Sequence, residues 1–173
     1  NETIYQYDEN GNIITTISPV GAKTSYEYNA NNKYTAVINP MGYKTNYEYD
    51  ELGRITKVID PKGNATNINY NSNGKITSTV DPEGNKVEYE YDLLANIVRT
   101  IDETGNITNY EYDKNSKLIK QTDPKGNSSS YQYDSSGNII HVTDKNGGET
   151  SYTYDSLNQI TNVTDQENNT YSY

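Results

Sequence analysis

One 21-residue repeat, present eight times without insertion or deletion, fills this chain. Its first tyrosine falls at Tyr5, Tyr26, Tyr47, Tyr89, Tyr110, Tyr131 and Tyr152, with Ile68 in the fourth copy, and Tyr173 opens a ninth. A second tyrosine follows two residues later, at Tyr7, Tyr28, Tyr49, Tyr70, Tyr91, Tyr112, Tyr133 and Tyr154, and Asp or Asn trails it every time. Self-similarity at a fixed period is the signature of a repeat architecture. In such arrays each copy contacts its neighbours, and function belongs to the assembled surface. Residues 1–173 therefore read as a single array, with repeats starting at 5, 26, 47, 68, 89, 110, 131 and 152.

Numbered from the first tyrosine, the consensus is Y-E-Y-D-x-x-G-x-I-x-x-V-I-D-P-x-G-N-x-T-x. Two β-branched or aromatic runs alternate with two turns. In the third and fourth repeats the runs are residues 64–70 and 75–80. Both have the period-two alternation of strands, and none of the sequence has helical periodicity. The first turn carries Gly11, Asn32, Gly53, Gly74, Ala95, Ser116, Gly137 or Asn158 at position 7. Gly and Asn accept positive φ, which predicts a type I turn closed by a left-handed residue. Ala95 and Ser116 fit this less well and predict local variation. The second turn reads Asp60-Pro61-Lys62-Gly63, Asp81-Pro82-Glu83-Gly84 and Asp123-Pro124-Lys125-Gly126. Proline presets φ, and aspartate bonds the amides ahead of it. The fold class is all-β, with antiparallel hairpins forming one continuous sheet.

Because side chains alternate faces along a strand, an odd period would flip the tyrosines from copy to copy. Either unequal turns or one regular bulge restores the register. A three-residue first loop and a four-residue second loop predict that position 3 pairs with 9, 1 with 11, and 13 with 18. One face of the third repeat then collects Tyr47, Tyr49, Ile55, Ile59 and Thr66, with Lys57 as its polar exception. The other carries Glu48, Arg54, Thr56 and Val58. Sixteen strands at ~4.8 Å would extend ~75–80 Å, and a twisted sheet of that length must curl, split or stack.

Leu, Ile, Val and Phe total 29 of 173 residues, and the net charge is −10, a balance typical of disorder. The regular placement of 19 tyrosines argues otherwise, since each ring can cover ~150–250 Å². There is no cysteine, hence no disulfide or thiolate metal site. No segment is apolar enough to span a membrane as a helix. The acidic balance disfavours nucleic acid and anionic membranes. The chain begins and ends inside the repeat pattern, as an excised piece of a longer array would.

Catalytic groups are scarce. His141 is the only histidine and sits at position 11, where other repeats hold Thr, Ala, Lys, Ser, Arg and Asn. A general base needs a positioned nucleophile or orienter, so no catalytic residue is assigned. Glu27, Glu48, Glu90 and Glu111 form a carboxylate row in near-equal environments, unlike a paired acid and base, whose environments must differ. The expected role is a solvated acidic face, offset by Lys33, Arg54, Lys75 and Lys117 at position 8. Asp8-Glu9-Asn10-Gly11-Asn12 resembles the start of a calcium loop. Its glycine comes two places early, however, and Pro19 stands where a bidentate Glu is required. No metal or cofactor is expected. The tyrosine pairs, Tyr5 to Tyr154, are expected to form a structural ladder of stacked rings. Glycan binding on the tyrosine or acidic face is the alternative.

The Y-x-Y-D-x-x-G-x-I and D-P-x-G-N signatures resemble the tyrosine-aspartate (YD, or RHS-type) repeats across residues 1–173. That resemblance implies a β-ribbon that spirals into a shell, which in toxin members encloses a C-terminal effector. It implies a structural, non-enzymatic role in a secreted or cell-surface bacterial protein. Expected partners are neighbouring repeats of the parent, its C-terminal effector and a second copy at the open sheet ends.

Overall fold

The computed structural model describes residues 2–173, and among these every regular element is a strand. The chain divides between Lys86 and Val87 into two compact units. The N-terminal unit contains β1 (Ile4–Tyr7), β2 (Ile13–Ile17), β3 (Lys23–Tyr28), β4 (Tyr34–Ile38), β5 (Lys44–Tyr49), β6 (Ile55–Ile59), β7 (Ala65–Tyr70) and β8 (Ile76–Val80). The C-terminal unit contains β9 (Lys86–Tyr91), β10 (Ile97–Ile101), β11 (Ile107–Tyr112), β12 (Leu118–Thr122), β13 (Ser128–Tyr133), β14 (Ile139–Thr143), β15 (Glu149–Tyr154), β16 (Ile160–Thr164) and β17 (Thr170–Ser172). Within each unit, strands contact only their sequence neighbours, as an antiparallel meander one layer deep.

The two turns of a repeat are the same turn, which corrects the expected loop lengths. In the first, the Asp50 amide donates to the Arg54 carbonyl (3.0 Å) and the Gly53 amide to the Asp50 carbonyl (3.0 Å). In the second, Asp60 donates to Asn64 (2.9 Å) and Gly63 to Asp60 (3.0 Å). Each is therefore a three-residue loop ending in a left-handed residue, Gly53 at φ 76° and Gly63 at φ 89°. Position 13 consequently pairs with 19, as in Ile59 with Ala65, and not with 18.

A bulge absorbs the odd residue. Tyr49 pairs with Ile55 and Glu48 with Lys57, so Thr56 stands opposite nothing of its own. The same step skips Ile14, Thr35, Thr77, Val98, Ile119, Ile140 and Thr161. Two residues on one strand opposing one on its partner is the definition of a β-bulge. Beyond it, Tyr47 faces Val58, not Lys57. Cross-strand partners share a face, so the tyrosine face carries Tyr47, Tyr49, Ile55, Val58 and Thr66. Lys57 and Ile59 lie on the opposite face with Glu48, reversing three of the expected placements.

Ala95 and Ser116 do not vary the turn. They adopt φ 67° and 63°, as the glycines do. A left-handed L-residue costs roughly 1–2 kcal/mol. Ala95→Gly is therefore expected to stabilise the C-terminal unit by about 1 kcal/mol, measured as a raised urea midpoint.

Among the described residues no large side chain is fully buried. The buried positions are small residues at position 11: Ala36 at 1% exposure, Thr15 and Ser78 at 5%. They sit just past the bulge. The paired tyrosines from Tyr26 to Tyr154 are half-buried, whereas Tyr34, Tyr43 and the terminal Tyr5, Tyr7, Tyr171 and Tyr173 are exposed.

Candidate functional site: the tyrosine face and its turns

The second tyrosine of a repeat does more than cover surface. The β2–β3 ladder ends at Thr15 with Ser25, short of Ile13, because the bulge has interrupted the strand. The Tyr28 hydroxyl donates to the Ile13 carbonyl instead (2.9 Å). Equivalent bonds run from Tyr49 to Tyr34 (2.7 Å), Tyr70 to Ile55 (2.7 Å), Tyr133 to Leu118 (2.8 Å) and Tyr154 to Ile139 (2.8 Å). A backbone acceptor left without a partner is costly, so bulge and tyrosine form one device. Partial burial raises the hydroxyl pKa of Tyr28, Tyr49, Tyr91, Tyr112 and Tyr133. The hydroxyl thus stays a donor at any ordinary pH.

Stacked rings are not the repeating contact. Tyr34 and Tyr47 meet edge-on, with centroids 5.0 Å apart and planes at 89°. Position-8 cations instead lie over the next repeat's ring, Arg54 over Tyr70 at 4.5 Å and Lys117 over Tyr133 at 5.1 Å. Their side chains pass close to the turn that follows that ring, where Arg54 donates to the Asn71 carbonyl (3.1 Å). A Cβ built on Gly137 would stand 2.6 Å from the Lys117 Nζ. At Gly53 and Gly137 the absent side chain therefore serves two needs, a left-handed φ and room for a passing lysine, whereas Gly11 and Gly74 answer only the first.

This moves the position-8 cations away from the carboxylate row they were expected to offset. The row is matched on its own face, opposite the tyrosines, by position 11, Glu48 with Lys57 (3.5 Å), Glu90 with Arg99 (2.8 Å) and Glu111 with Lys120 (3.0 Å). Glu27 reaches Lys44 instead (2.8 Å), because Ala36 holds the facing position. All four glutamates are half exposed, so these pairs are worth little individually. The reason for the reassignment is the bulge, which sets 2 opposite 11 and leaves 8 at the turn.

His141 does find polar neighbours. Its Nδ1 lies 3.0 Å from the Ser151 Oγ and its Nε2 3.9 Å from a Glu149 oxygen. All three stand on a strand face, without an enclosed cleft to hold a substrate, so the trio reads as a cross-strand polar contact.

Each turn aspartate holds its own loop. Asp60 Oδ1 accepts the amides of Lys62 (2.8 Å) and Asn64 (2.9 Å), and Oδ2 accepts the Asn64 side-chain amide (2.8 Å). The pattern recurs at Asp102 and Asp123. These bonds favour the charged form. The Asn64 amide group lowers the Asp60 pKa, and the Thr104 hydroxyl with Asn106 brings Asp102 down to about 2. Pro61, Pro82 and Pro124 preset the corner, and Gly63, Gly84 and Gly126 close it at φ 86–89°. Among the described residues no cluster of His, Asp or Glu could hold a metal ion.

The family model "RHS Repeat" matches the chain at residues 7–40, 28–65, 70–107, 112–149 and 133–170. Among solved structures, the crystal structure of TcdB2-TccC3-Cdc42 is similar at TM-score 0.60 and 15% identity, over 94% of this chain and 13% of that one. TcdB2-TccC3 without its hypervariable C-terminal region gives TM-score 0.60 at 16% identity, over 94% and 13%. The Photorhabdus luminescens Tc holotoxin pore gives TM-score 0.60 at 16% identity, over 94% and 12%. The chain thus spans about an eighth of the structures it matches. No curated protein matches it.

Proposed function

The chain belongs to the RHS repeat family, and from that premise we propose that it builds a stretch of shell wall in a larger secreted or cell-surface bacterial protein, around that protein's own C-terminal toxin. The observation that carries this reading is a sheet without a core. Each unit is one layer deep, among the described residues no large side chain is fully buried, and its stability comes from contacts repeated along the array. Such a construction spans distance and separates two sides, which is what a wall requires. No group in it has to react, so the role is structural and not enzymatic. The likeness to TcdB2-TccC3 structures over 94% of this chain supports the reading at the level of fold. Its nearest partners are neighbouring repeats of the parent, paired at strand edges, with the enclosed toxin next.

Limited proteolysis of the full-length protein tests this. The segment after the array is expected to resist digestion while the repeats are folded and to be cut once urea opens them. Digestion of that segment at the same rate in both states overturns the proposal.

A further inference from the structure

Near-identical repeats carry a hazard of their own. Every copy presents the same tyrosine face, so a strand that skips one repeat, or pairs with another molecule, still buries its apolar side chains. A contact that differs from repeat to repeat is needed to tell one neighbour from another.

Such a contact exists between position 8 of one repeat and position 7 of the next. Within the N-terminal unit the pairs are Asn12 with Asn32, Lys33 with Gly53 and Arg54 with Gly74. Within the C-terminal unit they are Asn96 with Ser116, Lys117 with Gly137 and Asn138 with Asn158. In both units a cation is followed by glycine and an asparagine by a polar side chain.

The geometry explains this sorting. The cations run outward past the following turn, and Arg54 and Lys117 end over Tyr70 and Tyr133. A Cβ at Gly137 would stand 2.6 Å from the Lys117 Nζ, and one at Gly53 3.2 Å from the Lys33 Cε. At Gly74 the Arg54 Nη1 stands 3.9 Å off, in ordinary contact. The asparagines do the reverse. Asn12 and Asn138 turn back, and their side-chain amides donate to Oδ2 of Asp8 and Asp134 in their own turns (2.9 Å each). The same amides donate to the Oδ1 of Asn32 (2.9 Å) and of Asn158 (2.8 Å). Asn96 turns back likewise, onto Asp92 (2.8 Å). Asn32 and Asn158 hold position 7 at φ 57° and 61°, so the turn itself accepts Asn as well as Gly.

We infer that this contact is a neighbour code. A cation selects a glycine, an asparagine selects a polar side chain, and each repeat thereby prefers the repeat that follows it in the chain. Skipping the seventh repeat would drive Lys117 against the Asn158 side chain. Skipping the second would leave Asn12 beside Gly53, and skipping the sixth would leave Asn96 beside Gly137, neither with an acceptor side chain. Within the units only a skip of the third repeat, which brings Lys33 to Gly74, keeps a match. The same contact screens a second copy that offers its strands to this one. The code concerns how the array assembles, and it stands whether or not the wall encloses a toxin.

Two double-mutant cycles test it, read by urea unfolding and proton NMR. Gly137→Asn alone is expected to raise the unfolding equilibrium constant about fivefold, as Lys117 is driven off the Tyr133 ring. The Lys117 ε-methylene protons should then lose the upfield shift that the ring gives them. Adding Lys117→Asn should recover most of the lost stability, because it rebuilds the arrangement of Asn138 and Asn158. In the converse cycle, Asn138→Lys alone should destabilise, and Asn138→Lys with Asn158→Gly should recover. In that double variant the introduced lysine's ε-methylene protons should move upfield over Tyr154. Additive effects in either cycle, or unshifted protons on the introduced lysine, overturn the code.

Discussion

Tyr70→Ala is expected to destabilise the N-terminal unit by about 3 kcal/mol, and Tyr70→Phe by about 1 kcal/mol. Three effects add in the alanine variant. A half-buried ring leaves the sheet, the 2.7 Å bond to the Ile55 carbonyl is lost, and the Arg54 guanidinium loses the ring it covers. The phenylalanine variant keeps the ring and the cation contact and loses only the hydroxyl, so its own effect reports the hydroxyl's part and the difference between the two variants reports the ring's. Urea unfolding followed by far-UV circular dichroism measures both. Because contacts within the unit run only between sequence neighbours, the loss should be felt first in β6 and β7. An unchanged midpoint for Tyr70→Phe would mean that the Ile55 carbonyl finds another donor and that the bulge does not depend on the tyrosine hydroxyl.

Acid is expected to dismantle the turns. Asp8, Asp50, Asp60, Asp81, Asp92, Asp102, Asp113, Asp123, Asp134 and Asp165 all have lowered pKa values, chiefly through side-chain or backbone amides of their own loops. A carboxyl whose folded pKa lies below its unfolded value stabilises the fold above the unfolded value, and that stability is lost as pH falls through the folded one. The unfolded value is about 4, and Asp102 reaches about 2 when folded. The urea midpoint should therefore hold at neutral pH and fall progressively between about 4 and 2. Asp102→Asn provides a control. Asn29 already caps its turn with the same two amide bonds, at 3.0 Å each, so the variant should fold and lose part of the acid dependence. A midpoint indifferent to pH over this range would show that the turns do not rely on ionised aspartate.

Much of this architecture is legible in the residues. The alternation of Tyr47-Glu48-Tyr49 announces a strand, Gly53 and Gly63 announce left-handed corners, and Asp60 announces an amide-capping carboxylate. The bulge is not legible by residue type. Thr56, Val98 and Ile140 are β-branched like any strand residue, and nothing in them distinguishes an extra residue from a paired one. The odd period demands a correction somewhere, and either a longer loop or a bulge supplies it. Choosing the loop places Lys57 beneath Tyr47, and choosing the bulge places Val58 there. The tyrosine hydroxyl bonds follow from the same choice, since the carbonyl they satisfy is orphaned only by the bulge. Ala95 and Ser116 mislead for a different reason. Neighbouring repeats impose the turn on them, and the array absorbs the strain.

The bulge at position 10 is the centre of this account, and cross-strand contacts at the third repeat test it most directly. Nuclear Overhauser spectroscopy of the protein with labelled valine methyls should show contacts from the Tyr47 ring to the Val58 methyls and from Glu48 to Lys57. Contacts from the Tyr47 ring to the Lys57 side chain, with Val58 on the other face, would contradict it and restore unequal turns.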